Sequence, residues 1–187
     1  MRNTILAITI IFLGFGITES HLTVTESNVD TWEEIIKLKE KRKTEYHQNE
    51  LERFLDDIGF TESGNRYHIT NTWGYMGKYQ FGKSTLRGLG YKVSRKEFLN
   101  SPELQEQAML DLLSHNKKIL QTYIDYWDGK NINGKVITES GILAAAHLGG
   151  PGNVKKFFRD GKVFKDGNGT KITKYLTHFS GYKLNLD

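Results

Sequence analysis

Apolar residues recur at helical spacing along much of the chain. Between Thr31 and about Ile58 they repeat every three or four positions, for example at Leu51, Phe54 and Leu55. This period places the apolar side chains on one face of a helix, which can then pack against a core. We therefore predict a helix over this segment.

Helix start and stop signals mark the second half of the chain. Ser101 followed by Pro102 is typical of a helix N-terminus, because Ser caps free N–H groups and Pro fits the first turn. We predict a helix from there to about Trp127. A short apolar helix is predicted over 139–148, and the Gly-rich segment 149–152 should end it. Two later helices are predicted to begin at the capping residues Asn153 and Thr170.

Glycine alternates with aromatic residues between positions 59 and 83. Turns and short extended pieces fit this pattern better than a helix does. We therefore predict a small irregular or β-hairpin lobe here. The predicted fold class is mainly α (α+β), a helical domain whose small lobe forms a cleft with it.

The N-terminus has the pattern of an export signal. Arg2 precedes an apolar run of 13 residues, positions 5–17, which is shorter than the roughly 20 residues that span a membrane. We predict a signal peptide over 1–20, although no Ala-x-Ala pattern marks the cleavage site and retention as a membrane anchor stays open. A polar leader and N-terminal helix follow over 21–50, and the main domain over 51–187. We expect the domain to be exported.

Composition removes several classes of function. The 187 residues include no Cys, which excludes disulfide frameworks, thiolate zinc sites and thiol catalysis. The six His are scattered without a helical pair, so we predict no metal and no cofactor. A net charge of +4 favours an anionic partner, but the excess is too small to choose among nucleic acid, membrane and cell-wall polymer.

The segment Gly77–Ser84 matches the phosphate-loop pattern of nucleotide-binding proteins. That motif needs a buried strand before the loop, and residues 71–76 do not have the composition of one. We therefore predict neither a nucleotide nor a nucleic acid as partner.

Glu62 is the strongest candidate for chemistry. It lies at the end of the first predicted helix, beside the aromatic lobe. Rings such as Tyr67 and Trp73 would desolvate its carboxyl group and raise its pKa, which suits a general acid that protonates a glycosidic oxygen. The alternative is an exposed carboxylate at a helix end with no catalytic role.

Four segments occur in an order known from one enzyme family. They are Glu62-Ser63, the stretch Gly74–Gln80, the stretch Ala145–Gly152, and Tyr175. Together they resemble the lytic transglycosylases of the lysozyme-like superfamily, over roughly 51–182. That family carries Glu-Ser at a helix end, a Gly-Ala-x-Gly-Leu-Met-Gln stretch, an Ala-Tyr-Asn-Ala-Gly-Pro-Gly stretch and a late Tyr.

The resemblance implies an activity and a set of site residues. Glu62 would be the single catalytic acid/base that cleaves the β-1,4 bond between N-acetylmuramic acid and N-acetylglucosamine in peptidoglycan, leaving a 1,6-anhydro sugar. The partner would be the glycan strand, the protein a monomer, and its location periplasmic or secreted in a bacterium. The substrate-binding residues would be Ser63, Tyr75, Tyr79, Gln80, His147 and Tyr175.

This sequence departs from the family pattern in two places. Lys78-Tyr79 stands where the family has Leu-Met, although the Tyr79 ring can still stack on a sugar. His147-Leu148 stands where the family has Tyr-Asn, so an amide that meets substrate is missing. His147 could replace it or serve as a structural residue.

Two further functions stay open. A lysozyme-type hydrolase that inverts would need a second carboxylate roughly 6.5–9.5 Å from the first. A non-catalytic glycan-binding module on the same fold would bind the polymer and release nothing. The candidates for the second carboxylate are Asp56, Asp57, Glu97 and Glu103.

Overall fold

A computed structural model describes residues 32–186, apart from the side chains of residues 47 and 48. The chain divides after Glu45. Of the first unit, the structure describes residues 32–45, which are helical and largely exposed. The second unit contains the core. Within the described part there are seven helices and one two-stranded sheet: α1 (Trp32–Ser63), α2 (Lys83–Gly88), α3 (Arg95–Leu99), α4 (Pro102–Trp127), β1 (Asn131–Ile132), β2 (Lys135–Val136), α5 (Glu139–Gly149), α6 (Pro151–Asp160) and α7 (Ile172–His178).

The mainly helical prediction is confirmed, and the longest elements lie where the sequence places them. The Ser101 hydroxyl accepts a hydrogen bond from the N–H of Leu104, and α4 runs from Pro102 to Trp127. Helix α1 continues beyond the predicted Ile58 to Ser63. Glu62 therefore lies in its last turn, as predicted.

Two predicted helix starts are wrong. Gly150, at φ 77°, precedes α6, and Pro151 opens that helix. Asn153 lies inside α6, where its side-chain amide donates to the carbonyl of Gly149. Thr170 does not cap α7, because its N–H donates to the side chain of Asp166 and Lys171 is the residue before the helix.

Residues 64–82, the Gly-rich lobe, have the predicted irregular structure, but the prediction is wrong for 59–63, which belong to α1. The lobe consists of turns joined by isolated bridges between Thr70 and Met76 and between Met76 and Phe81. The β-hairpin of the described chain lies elsewhere, at β1 and β2. Its turn is formed by Asn133 and Gly134, both at positive φ, as a tight two-residue hairpin requires.

Helix α5 lies at the centre of the core and packs against α4, α6 and α7. Residues 140–146 of α5 are all buried. Gly141 permits the close approach of α7, because a Cβ atom at this position would lie 2.2 Å from the carbonyl oxygen of Leu176. This close contact sets the position of α7 relative to α5, and with it the position of Tyr175.

The predictions for the N-terminus, a signal peptide and a polar leader, fall mainly on residues outside the described part of the chain. Among residues 32–186, no helix combines the length and the apolar character that a membrane span requires.

Candidate active site

The centre of the site is the carboxyl group of Glu62, in the last turn of α1. Its side chain is 15% exposed. The hydroxyl of Tyr175, on α7, donates a hydrogen bond of 2.6 Å to its Oε1 atom. This contact joins residues 113 positions apart, so the fold brings together two of the residues that the sequence singles out.

His147, in the last turn of α5, is the second group on this carboxyl. Its Nε2 lies 3.5 Å from the same Oε1 atom, and its side chain is 7% exposed. The other ring nitrogen, Nδ1, is buried and has no hydrogen-bond partner among the described residues. The Phe81 ring of the Gly-rich lobe packs edge-to-face on the imidazole at 6.2 Å between centroids. His147 thus connects the lobe, α5 and Glu62.

The pKa of Glu62 is lower than its ordinary value, which contradicts the expectation from sequence. Burial by itself raises this pKa, but His147, whose Nε2 lies 3.5 Å from Oε1, lowers it, and the Tyr175 hydroxyl lowers it further. The sequence argument counted only desolvation. It relied on rings such as Trp73, which is largely exposed, and did not include the effect of Tyr175 or His147 on the pKa.

The pKa of the Tyr175 hydroxyl is well above its ordinary range. Burial is the largest cause, followed by the negative charge of Glu62 and the hydrogen bond to it, and then by the charge of Asp166. Tyr175 therefore keeps its proton and remains a donor to Glu62.

Asp166 is a carboxylate near the site that the sequence reasoning missed. Its Oδ1 atom accepts hydrogen bonds from the N–H groups of Asn168, at 3.0 Å, and Thr170, at 2.6 Å. The Asp-Gly-Asn-Gly-Thr pattern of residues 166–170 is a turn signal, but no local pattern places that turn beside Tyr175.

Two of the predicted substrate-binding residues are buried. Ser63 is 6% exposed. Its hydroxyl donates to the carbonyl of Lys78 at 2.8 Å and accepts from the N–H of Arg66 at 2.9 Å, which fixes the lobe to the end of α1. Tyr79 is fully buried, and its hydroxyl donates to Glu106 at 2.5 Å. Both side chains are therefore buried and bonded within the protein, and neither has an exposed group for the sugar contact expected of it.

Lys78 explains why Tyr79 points inward. The Lys78 ammonium group is bonded to Asp56 at 2.9 Å and to Glu106 at 3.0 Å, while its side chain is only 6% exposed. Burial lowers the pKa of Lys78, but hydrogen bonds to the two carboxylates raise it by more. The ammonium also lies over the rings of Tyr67 and Tyr79. This ionic cluster fixes the lobe to α1 and α4.

The remaining predicted residues lie on the lobe, without a direct contact to Glu62. Tyr75 is 46% exposed. Gln80 is half-buried at φ 51°, and its amide donates to the carbonyl of Gly77. Trp73 is exposed, and a Cβ atom at Gly167 would lie 3.8 Å from its indole ring. The lobe and the loop before α7 therefore meet at Trp73.

Two surface cavities border α7. One, of about 460 Å³, follows the loop and the start of the helix, from Asn168 to Lys174. The other, of about 540 Å³, lies between the end of α1 and α7. Tyr175 forms part of the wall of the second cavity, and no residue of the Gly-rich lobe lines either one. The second cavity is lined by Asp57, Phe60, Thr61, Lys174, Tyr175, His178 and Phe179.

The four candidates for a second carboxylate have other surroundings. Asp56 pairs with Lys78, and Asp57 accepts a hydrogen bond from the Tyr182 hydroxyl. Glu97 forms a capping box with Ser94 at the start of α3. The fourth, Glu103, is exposed in the first turn of α4. None of the four is joined to Glu62 by a shared hydrogen-bond or ion-pair partner among the described residues.

The phosphate-loop match has none of the geometry of a phosphate site. The backbone N–H groups of Gly77, Lys78 and Phe81 donate to acceptors of the protein itself. They are therefore engaged in the turn of the lobe and cannot surround a phosphate group. In residues 32–186, no three His, Asp or Glu side chains converge to hold a metal ion.

No family model matches this chain, and neither a curated protein nor a solved structure is significantly similar to it.

Proposed function

We propose that this protein is a lytic transglycosylase with a lysozyme-like fold, which cleaves the β-1,4 bond between N-acetylmuramic acid and N-acetylglucosamine in peptidoglycan. The observation that supports it most is the setting of Glu62. A mostly buried carboxyl at a helix end, held by a tyrosine hydroxyl at 2.6 Å, suits the carboxylate that proton transfer leaves behind and that then acts as a base, and its lowered pKa favours this ionised form.

The proposed reaction uses Glu62 twice. The protonated carboxyl gives its proton to the glycosidic oxygen, and the bond from that oxygen to the anomeric carbon of the muramoyl residue breaks. The 6-hydroxyl of the same residue then attacks the anomeric carbon, and its proton passes to the Glu62 carboxylate. The products are a 1,6-anhydro-muramoyl end and a free N-acetylglucosamine end, and no water is consumed.

The hydrogen bond from Tyr175 suits this cycle. It stabilises the carboxylate that proton transfer leaves behind, which is where charge develops on the enzyme. Because the same contact helps to lower the pKa of Glu62 below its ordinary value, the form that donates a proton is populated only in acid, below the pH range in which an ordinary carboxyl group titrates. We therefore expect cleavage to slow as the pH rises through the pKa of Glu62.

The proposal is tested by digestion of purified peptidoglycan with wild-type protein and with Glu62→Gln. Soluble muropeptides should appear with the wild type and vanish with Glu62→Gln. Glu52→Gln is the matched control, because Glu52 is an exposed carboxylate on the same helix, and it should cleave like the wild type. Equal release by wild type and Glu62→Gln would overturn the assignment.

Hydrolysis is the second candidate, and Asp166 is the observation in its favour. Its charge acts on Tyr175, so it is a carboxylate close to the partner of Glu62. Products with a reducing muramic acid end, which disappear in Asp166→Asn, would establish hydrolysis. If the polymer is bound equally by wild type and Glu62→Gln but no product forms, a glycan-binding module is the better assignment.

The setting proposed for this reaction is outside the cytoplasm, in the periplasm or the medium of a bacterium. The apolar run at 5–17 and the net charge of +4, which suits an anionic wall polymer, support it. Cell fractionation with the full chain tests this: the protein should be found with the envelope or in the medium. Recovery in the cytoplasm alone would contradict it.

A further inference from the structure

His147 and Leu148 stand where the lytic transglycosylase pattern has Tyr-Asn. The His147 ring is 7% exposed and so is nearly as buried as a core residue. One nitrogen faces the Oε1 atom of Glu62 at 3.5 Å, and the other has no hydrogen-bond partner in the described chain. A histidine that served only the packing of α5 would have no need to aim a nitrogen at the catalytic carboxyl.

Because Nδ1 of His147 is buried without a hydrogen-bond partner, the two neutral tautomers of the ring differ in stability. A neutral imidazole has one N–H donor and one acceptor. With the proton on Nε2, the donor faces the Glu62 carboxylate and the unpaired Nδ1 is merely an unused acceptor. With the proton on Nδ1, a buried donor would lack a partner, and two lone pairs would face each other across the 3.5 Å gap. Both effects are unfavourable.

Both donors act on the same oxygen of Glu62. The Tyr175 hydroxyl and His147 Nε2 both approach Oε1, so Oε2 is the oxygen left to act on a ligand. The charged and titratable groups around the carboxyl are His147 from α5 and Tyr175 from α7, with Asp166 acting on Tyr175 from the preceding loop. Of these, only His147 can bring a positive charge.

We propose that His147 is the positioning residue of Glu62: it holds Oε1 together with Tyr175, and it sets the pH at which Oε2 carries the proton for the leaving oxygen. When Glu62 donates that proton, the carboxylate left behind faces the Nε2–H of His147. When the carboxylate takes up the next proton, this contact weakens. The statement about catalysis rests on the proposed function, whereas the coupling between the two side chains does not.

The test is the titration of Glu62, followed by carbon-13 NMR of the labelled side-chain carboxyl. His147→Phe keeps a ring against Phe81 but removes the donor, so the midpoint of the Glu62 titration should move to higher pH. His147→Gln restores an N–H group on a side chain of similar reach and should return the midpoint towards the wild-type value. His115→Phe, which replaces an exposed histidine on α4, should leave it unchanged.

A second measurement, made on the wild type and on Glu62→Gln, tests the proposal if His147→Phe does not fold. In the wild type, the nitrogen-15 signal of His147 Nε2 should change at the pH where Glu62 titrates, and this step should be absent in Glu62→Gln. An unshifted Glu62 midpoint in folded His147→Phe, or a His147 signal that ignores the Glu62 titration, would overturn the proposal.

The rate measurement separates this inference from the proposed function. On peptidoglycan, the alkaline limb of the pH profile should move upward in His147→Phe and return in His147→Gln. If the NMR shifts occur but no variant cleaves peptidoglycan, the coupling stands and the substrate assignment fails. If cleavage occurs with an identical pH profile in all three proteins, the role of His147 is wrong and the function stands.

Discussion

Tyr175 and Glu62 form the contact on which the proposed chemistry depends most. The hydroxyl donates a hydrogen bond of 2.6 Å to a mostly buried carboxylate, and hydrogen bonds to charged groups contribute about 1.5–3 kcal/mol. The bond acts on the carboxyl group that we propose as the acid/base, so its loss should affect the rate more than the fold.

Replacement of Tyr175 by Phe tests this. At a pH where the wild type is fully active, we expect the cleavage rate to fall roughly tenfold or more, because the carboxylate formed in the reaction loses a donor. Steady-state kinetics on soluble glycan fragments measures it. Tyr91→Phe is the control, since it breaks a similar bond to Asp111 away from the site; equal losses in both variants would contradict a specific role.

Lys78 shows how one residue can direct the fold of its neighbours. Its ammonium group holds Asp56 and Glu106 together, and Glu106 in turn accepts from the hydroxyls of Tyr67 and Tyr79. The cluster explains why a ring that the sequence offers for stacking on sugar is buried instead.

We expect Lys78→Met to lower the free energy of unfolding by about 1–3 kcal/mol. The loss stays below that of a fully buried ion pair, because Asp56 and Glu106 keep access to water. Urea denaturation measures it. Lys83→Met, an exposed lysine of the same phosphate-loop match, should change stability by less than about 0.5 kcal/mol. A Lys78→Met protein as stable as the wild type would show that the cluster contributes nothing.

At the scale of elements, the site depends on how closely α5 and α7 pack. His147 comes from one helix and Tyr175 from the other, and both must reach the last turn of α1. Gly141 permits this packing because it has no Cβ atom to meet the Leu176 carbonyl.

Gly141→Ala should therefore damage stability and activity together. The added methyl group would lie 2.2 Å from a backbone oxygen, so α7 must shift, at a cost of about 1–3 kcal/mol. Thermal unfolding and peptidoglycan cleavage measure the two effects. Gly152→Ala in α6 is the control: its Cβ atom meets nothing within 4 Å, so it should be neutral or slightly stabilising. An active, fully stable Gly141→Ala protein would contradict the packing argument.

Local signals predicted some elements and failed for others, for physical reasons. Helix α4 was predictable because Ser101 and Pro102 are adjacent and act within one turn. The start of α7 was not, because Asp166 captures the N–H of Thr170. The start of α6 has a local signal, since Pro151 lies in its first turn as Pro102 does in α4, but residues 149–152 were interpreted only as the end of the preceding helix. The residues of the candidate site were also predictable only in part. Glu62 and Tyr175 follow from the resemblance, whereas the role of Asp166 depends on a loop that folds back onto α7.

At the scale of the whole molecule, Glu62 also couples stability to pH. Its pKa in the folded protein lies below its ordinary value, which is the value that a carboxyl group has in an unfolded chain. A carboxyl of this kind stabilises the fold above its unfolded pKa, and the contribution is lost as the pH falls through the folded pKa.

We therefore expect the stability difference between wild type and Glu62→Gln to depend on pH. The free energy of unfolding of the wild type, relative to Glu62→Gln, should be greater at neutral pH than at pH about 3. Urea denaturation of both proteins at the two pH values measures it. A difference that is constant, or that grows in acid, would show that the folded protein does not favour the carboxylate.

The central claim is that Glu62 drives an intramolecular cleavage of the glycan. The most direct measurement is mass spectrometry of muropeptides released from peptidoglycan in oxygen-18-labelled water, with Glu62→Gln beside the wild type. We predict 1,6-anhydro ends, each one water lighter than a hydrolysis product and free of label, and their absence in Glu62→Gln. Labelled reducing ends, or products that persist without Glu62, would contradict the claim.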